Sequence, residues 1–244
     1  LTTRNLETKA FNAIYQIDAD GYLIFPESYL VLTTNPEIVK EQYYTSNPLG
    51  FVKMNSFPSL PNDEAIVCLT DTAGNIIDEV HYTDEMHFQL LTSVDGVSLE
   101  RLNFDRSSNE VSNWYSASEK VGFGTPAYKN SQFVELSETS GELGLQYDVF
   151  SPDNDGFDDV LLINYKFDNP GDTANCYIFN AKGVQVRHLL NNEFLGTEGT
   201  LSWDGLNTDQ NKVPIGIYII YFEIFDQNGN VKNMKKTCVV ASKL

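Results

Sequence analysis

The stretch Ile217-Tyr-Ile-Ile-Tyr-Phe-Glu-Ile-Phe225 is followed by Asp226-Gln-Asn-Gly229 and then by Val231-Lys-Asn-Met-Lys-Lys-Thr-Cys-Val-Val240. Both long runs are rich in β-branched and aromatic residues, which fit a pleated, half-buried surface. The four residues between them provide a glycine for a turn that needs a positive φ. The pattern predicts an antiparallel hairpin, and the rest of the chain repeats it.

Similar short runs, bounded by Gly, Pro, Asn or Asp, occur throughout the chain. One short helix is predicted from Pro36 to about Tyr44, with Asn35 as N-cap and Glu37 in its first turn. Many strands with one helix indicate an all-β fold of two immunoglobulin-like β-sandwiches in tandem, with the helix in the first. The other predicted strands are Tyr22–Phe25, Tyr29–Thr33, Ala65–Thr70, Ile76–Tyr82, Val97–Phe104, Val160–Phe167, Cys176–Asn180, Val184–Leu190 and Thr200–Trp203. Further turns are predicted at Asp18-Ala-Asp-Gly21 and Asn180-Ala-Lys-Gly183.

The domains are predicted at residues 1–133 and 144–244, with a polar linker lacking aromatics at 134–143. The chain has 244 residues and a formal net charge of −18. That charge divides almost evenly, with 18 acidic and 8 basic side chains in residues 1–133 and 16 and 8 in residues 134–244. Two acidic folded surfaces repel polyanions, so nucleic acid and anionic lipid are excluded as partners. No apolar run approaches the ~18 residues that a membrane span needs.

The first half resembles the bacterial lamin-tail domain, an immunoglobulin-like sandwich, over about residues 10–132. Such domains open with further strands upstream of the region matched by Leu1–Asn12, so we expect N-terminal strands to be missing from this sequence. The resemblance is carried by six stretches in order: Pro26-Glu-Ser-Tyr-Leu-Val-Leu-Thr-Thr-Asn-Pro36, Phe57-Pro-Ser-Leu-Pro-Asn-Asp63, Ile77-Asp-Glu-Val-His-Tyr82, Gly96-Val-Ser-Leu-Glu-Arg101, Asn113-Trp-Tyr-Ser-Ala117 and Gly122-Phe-Gly-Thr-Pro126.

The second half, about residues 144–242, is similar to the immunoglobulin-like domain of flagellar hook-capping proteins and to C-terminal modules on secreted proteins of gliding bacteria. The matching residues are Phe150-Ser-Pro-Asp-Asn-Asp-Gly156, Tyr177-Ile-Phe-Asn180, Gly183, Val186-Arg187, Trp203-Asp-Gly205 and Pro214-Ile-Gly-Ile-Tyr218. Both resemblances imply an exported surface, secreted or periplasmic protein with a binding or architectural role.

The sharpest chemical candidate is the segment Ser151–Asp159, here called the aspartate loop. Calcium prefers several oxygen ligands from a turn-forming loop. The candidate ligands are Ser151, Asp153, Asp155, the Phe157 carbonyl and Asp159. An EF-hand is rejected because Leu162 stands where the motif needs a bidentate glutamate. The alternative is that the aspartates form Asx turns and Gly156 bends the chain into the next strand.

Other chemistry-bearing residues favour structural roles. His81 and His87 lie six residues apart, which predicts a surface loop rather than a zinc site. The sequence contains no Gly-x-Ser-x-Gly elbow and no phosphate-binding glycine loop, but a Ser–His–Asp triad need not be contiguous. Trp114 and Trp203 are expected in the cores, with sugar stacking as the functional alternative. The three cysteines are expected to be buried thiols, with a Cys176–Cys238 bridge left open.

We therefore expect no catalytic and no cofactor-binding residues, with calcium as the candidate ion. The expected function is a non-catalytic exported protein in adhesion, scaffolding, or binding of protein or neutral glycan at the cell surface. The alternative is a set of accessory C-terminal modules of a larger exported hydrolase. In that case an upstream domain of the same polypeptide is a further partner.

Overall fold

Strands dominate the computed structural model, which describes residues 1–18, 22–135, 143–167, 172–226 and 230–242. The regular structure is β apart from one short α-helix and three 3-10 turns, so the all-β prediction is confirmed. The chain divides into unit 1, Leu1–Val134, and unit 2, Glu135–Leu244. Most of the predicted linker, 136–142, lies outside the described residues. Within the described ranges, no helix has the length and apolarity to cross a bilayer.

Unit 1 is built from short strands. The strands are β1 (Thr2–Arg4), β2 (Val31–Thr33), β3 (Phe51–Lys53), β4 (Glu64–Thr70), β5 (Ile76–Thr83), β6 (Leu99–Arg101) and β7 (Trp114–Ser116). They form an antiparallel sheet β1-β4-β5, a parallel pair β2-β3 and an antiparallel pair β6-β7. Helix α1 (Pro36–Gln42) follows β2, and 3-10 turns lie at Asp84–Met86, Val111–Asn113 and Glu119–Val121.

Unit 2 has longer strands in two sheets. The strands are β8 (Leu143–Leu145), β9 (Val149–Phe150), β10 (Leu161–Lys166), β11 (Thr173–Asn180), β12 (Gln185–Phe194), β13 (Glu198–Trp203), β14 (Gly216–Phe225) and β15 (Val231–Val240). One sheet has the order β13-β10-β8 and the other β12-β11-β14-β15-β9. All pairs are antiparallel except β9 with β15, which run parallel through Val149–Val239 and Phe150–Val240.

The core of unit 2 follows from strand alternation. Along β14 every second side chain is buried, and the residues between them are partly exposed. Period-2 burial is what a strand with one face on the core requires. Trp203 at the end of β13 is 1% exposed, and its ring lies 5.3 Å from the rings of both Phe150 and Tyr218. The prediction that Trp203 is a core residue is therefore confirmed.

Four local predictions have different outcomes. The turn at Asn180–Gly183 is confirmed, because Gly183 has a φ of 77° and the Asn180 amide donates to Val184 O at 2.9 Å. The strand at Tyr22–Phe25 is wrong: its side chains are 45–73% exposed, and no described strand pairs with it. A strand without a hydrogen-bonded neighbour leaves its backbone ladder unmade. The turns at 18–21 and 226–229 fall largely outside the described residues.

The helix forms where it was predicted, but without a side-chain hydrogen bond at its N-cap. Helix α1 begins at Pro36 as expected and ends at Gln42, two residues before Tyr44. Asn35 is the N-cap residue as predicted, but its side chain makes no capping hydrogen bond. Pro36 at the start, the acidic Glu37 in the first turn and a Lys40–Glu37 ion pair at 3.1 Å favour the helix instead.

Candidate functional sites

The aspartate loop connects β9 to β10 in unit 2 and folds around one carboxylate. Asp159 is 2% exposed, and its Oδ1 accepts the backbone amides of Asp153 and Asp155 at 3.2 Å each. Its Oδ2 accepts the Gly156 amide at 2.7 Å. Asn154, Gly156 and Asp158 have positive φ angles of 60°, 86° and 51°, so the backbone curls and directs several amides inward. The Asx turns considered as the alternative to calcium are also present, since Asp153 Oδ1 accepts the Asp155 backbone amide at 3.2 Å and Asp155 Oδ1 accepts that of Phe157.

The same loop gathers carboxylates. Asp153, Asp155 and Asp159 each offer an oxygen, and these oxygens all lie within 4.8 Å of one another. Burial and the charge of Asp155 raise the pKa of the neighbouring Asp158 carboxyl, which is the response expected where negative charge is concentrated. Oxygens around one Ca²⁺ at 2.3–2.6 Å lie at most about 5 Å apart, so the spacing suits a cation.

The structure brings together three of the five candidate ligand residues. Ser151 and Phe157 take part in the loop through their backbone amides. Ser151 N donates to Asp158 O at 2.8 Å, and Phe157 N donates to Asp155 Oδ1 at 3.0 Å. Their roles as ligands stay predictions. Within the part of the chain that the structure describes, Asp153, Asp155 and Asp159 are the one group of three or more metal-ligating side chains close enough to share an ion.

The histidine segment of unit 1 is used structurally. His81 Nε2 lies 2.7 Å from Glu64 Oε1, across the β4–β5 pair. His87 Nδ1 lies 2.9 Å from Ser116 Oγ, which also accepts the Phe88 amide at 2.9 Å. Burial lowers the pKa of His87, against a smaller opposing effect of Asp84. Ser116 is fully buried, so this Ser–His pair offers no hydroxyl to a substrate.

The three thiols are poor nucleophiles. Cys68, Cys176 and Cys238 are unbridged and buried, which confirms the buried-thiol interpretation and leaves no Cys176–Cys238 bridge. Burial raises the pKa of each to about 12. Cys68 Sγ also donates to Glu79 Oε2 at 3.0 Å. A thiol with so high a pKa carries almost no thiolate at neutral pH.

Trp114 lies in a different environment from Trp203. It is half-buried at the start of β7, and its indole N–H donates to Ser108 O at 2.8 Å. It lines a cleft of about 380 Å³ in unit 1, here called the Trp114 cleft, together with Tyr82 and His87. The sequence singled out both tryptophans but carried no signal to separate them, because the cleft is assembled from segments far apart in the chain.

Comparison with known proteins adds one family. Residues 145–240 match the CHU_C Type IX secretion signal domain. The chain is therefore an exported protein. The match covers most of unit 2, in the part where the sequence resembles C-terminal modules of secreted proteins. The search of curated proteins gives no match.

Solved structures give only distant likenesses. FlgD from P. aeruginosa is 15% identical with a TM-score of 0.29, over 33% of this chain and 62% of FlgD, so the chain spans less than two thirds of that protein. CopC from Methylosinus trichosporium OB3b is 14% identical with a TM-score of 0.25, over 34% of this chain and 76% of CopC. PorZ of Porphyromonas gingivalis is 18% identical with a TM-score of 0.27, over 47% of this chain and 13% of PorZ. TM-scores this low carry no argument.

Proposed function

We propose that the chain is a non-catalytic exported protein in which unit 2 directs export and unit 1 binds a partner at the cell surface, in adhesion or scaffolding. The observation that carries this proposal is the match of residues 145–240 to the Type IX secretion signal domain. That segment coincides with a sandwich that has its own buried core, from Phe150 on β9 to Val240 on β15. Because the segment has its own core, we expect the export machinery to recognise it as a folded surface.

Unit 1 is then the passenger. Its resemblance to lamin-tail domains supports a binding or architectural role. The chemistry of its reactive side chains agrees with a non-catalytic role, because Cys68 is buried with a raised pKa and Ser116 is fully buried behind His87. Short strands with long connections leave most of its surface to loops, where binding residues are usually found.

A reporter assay tests the export role. Residues 135–244 are fused to a fluorescent protein in a bacterium that has a type IX secretion system, and residues 1–134 are fused in parallel. We expect the first fusion at the cell surface or in the medium, and the second inside the cell. Deleting the secretion system should retain both. Equal export of the two fusions, or export without the system, would contradict the proposal.

A binding assay tests the role of unit 1. Surfaces coated with the purified chain are compared with surfaces coated with residues 135–244 for retention of bacterial cells. Retention that requires unit 1 is the expected result. Hydrolysis of ester, peptide or glycoside substrates that disappears in a Ser116→Ala variant would instead favour an enzyme.

We further propose that the ion of the aspartate loop is calcium, held by Asp153, Asp155 and Asp159 with Ser151 and the Phe157 carbonyl completing the shell. The support is an all-oxygen ligand set with no nitrogen or sulfur, which suits a hard cation. Calorimetric titration with Ca²⁺ should give binding heat for wild type and none for Asp155→Asn. Asp209→Asn, an exposed aspartate elsewhere in unit 2, is the matched control. Heat that persists in Asp155→Asn would place the ion elsewhere.

A further inference from the structure

The Trp114 cleft has the size and lining of a small-molecule site. Its volume of about 380 Å³ lies within the ~300–1,000 Å³ typical of ligand pockets. Two aromatic rings, Tyr82 from β5 and Trp114 from β7, line it with aliphatic side chains such as Leu60. The Tyr43 hydroxyl donates to the carbonyl of Gly96 in the rim at 2.8 Å, so a residue outside the lining holds the rim in place.

The polar groups of the cleft offer both donors and acceptors. The Ser116 hydroxyl accepts the Phe88 amide and is fully buried, so its own proton is donated to His87 Nδ1, its one other described partner. His87 is therefore the neutral tautomer with its proton on Nε2, in agreement with its lowered pKa. His87, Asn62 and Asp95 line the cleft, so the Nε2–H of His87, the Asn62 amide and the Asp95 carboxylate are the polar groups that their side chains can offer a ligand.

The charge of the lining is small. Among the described residues, Asp95 is the one acidic side chain that lines the cleft, and no lysine or arginine lines it. Asp95 is exposed, so water screens its attraction for a distant cation. A cation also gains nothing from the His87 Nε2–H, which directs a positive hydrogen at the ligand. The lining therefore suits a neutral ligand that both donates and accepts hydrogen bonds.

We propose that the Trp114 cleft binds one unit of a neutral glycan. A sugar hydroxyl is at once a donor and an acceptor, so neighbouring hydroxyls can donate to Asp95 and accept from His87 and Asn62. The C–H face of the same ring packs against Trp114 and Tyr82. Because the Trp114 N–H and the Tyr82 hydroxyl already donate to Ser108 O and Pro61 O, the ring surfaces are what these residues offer. This inference rests on the proposed binding role of unit 1 and names its ligand.

The test uses tryptophan fluorescence of the full 244-residue chain. Cellotetraose, mannotetraose and tetra-N-acetylchitotetraose are titrated separately, with trilysine as a cationic comparison. Trp203 is 1% exposed in the core of unit 2, so its emission is a constant reference and Trp114 gives the response. We expect a saturable change with at least one neutral tetrasaccharide and none with trilysine.

Variants locate the response. Asp95→Asn should weaken binding about tenfold or more, since a hydrogen bond to a charged group is lost. Asp105→Asn, exposed in unit 1 and outside the cleft lining, should bind like wild type. Trp114→Phe should retain the Trp203 emission and lose the response. Asp95 is exposed and does not pack in a core, so we expect Asp95→Asn to fold normally and to remain informative if Trp114→Phe folds poorly.

Two results overturn the proposal: no response to any of the three tetrasaccharides, or a response to trilysine alone. Equal affinity in wild type and Asp95→Asn would likewise remove the cleft as the site. Cell retention by chain-coated surfaces is measured alongside. If it requires unit 1 while the sugar titrations show no response, the glycan inference fails and the binding role stands. If retention is also absent, the binding role fails with it.

Discussion

Replacing Asp159 by asparagine tests whether the aspartate loop is held by its own hydrogen bonds or by an ion. The buried carboxylate accepts amides from Asp153 and Asp155 on one oxygen and from Gly156 on the other. Asparagine keeps one oxygen and replaces the other with an NH₂ group, so at least one amide then faces a donor. Stranding a buried donor costs about 1–3 kcal/mol. We expect Asp159→Asn to lower the free energy of unfolding of unit 2 by about 2 kcal/mol.

The assay is urea unfolding followed by Trp203 fluorescence in a Trp114→Phe background, with a calcium chelator present. Trp203 contacts Phe150, the residue before the loop, and therefore reports on the right unit. With a denaturant slope of about 2 kcal/mol per M, the midpoint should fall by about 1 M. Asp153→Asn is the control, because Asp153 is exposed and its Oδ1 accepts only the Asp155 amide at 3.2 Å, which asparagine also accepts.

Wild type and Asp153→Asn should separate when calcium is added. An ion that binds the native state raises its stability by mass action, so wild type should gain stability with calcium and Asp153→Asn should not. If Asp159→Asn shifts the midpoint no more than Asp153→Asn does in chelator, the hydrogen-bond account of the loop is refuted. If neither wild type nor variant responds to calcium, the loop is a structural turn alone.

Three further predictions concern separate features. Gly205→Ala should destabilise unit 2 by about 2–5 kcal/mol in thermal or urea unfolding, because Gly205 has a φ of +71° and an added Cβ lies 2.5 Å from Pro152 Cγ. Gly183→Ala is the control: Gly183 has a φ of +77° with open space around it, so the variant should lose only about 1–2 kcal/mol of stability. Equal losses in the two variants would contradict the clash with Pro152. His87 has a lowered pKa, so its contribution to stability is complete above its ordinary pKa of about 6.5 and declines as the pH falls below that value. His87→Asn keeps an acceptor for Ser116 and should flatten the fall in the free energy of unfolding between pH 7 and about 5. If the fall is as steep in the variant as in wild type, His87 is not its source. The thiols should resist Ellman's reagent in the native chain at neutral pH and react fully in guanidinium, because burial raises their pKa to about 12; rapid native labelling would show that a thiol is accessible.

Strands β11 and β14 of unit 2 were predictable because each buries alternate side chains against one core. The prediction at Ile217–Phe225 differs from β14 by a single residue at its start. The prediction at Val184–Leu190 stops four residues short of the end of β12. Those four residues, 191–194, are exposed, and Glu193 and Phe194 pair only with the backbone of β11. Exposed strand residues that pair only through the backbone need no hydrophobic alternation, so the sequence gives no signal for them.

Unit 1 was less accessible to sequence reasoning. Tyr22-Leu-Ile-Phe25 has the composition of a strand, yet composition alone does not supply a neighbouring strand. The aspartate cluster was predictable, since its members are close in sequence. Its anchoring by Asp159 was not, because that depends on a backbone with positive φ at Asn154 and Asp158. The Trp114 cleft unites residues from 60 to 114, a tertiary arrangement that no local pattern encodes.

The parallel pairing of β9 with the end of β15 can form only after nearly all of unit 2 has been translated. Val149 and Phe150, near the start of the sandwich, pair with Val239 and Val240 near its end. Contacts this distant in sequence form late and only when both partners exist. A polypeptide released by the ribosome before residue 239 therefore cannot form the β9–β15 pair. Under the proposed export role, such a chain would lack part of the domain that directs its export.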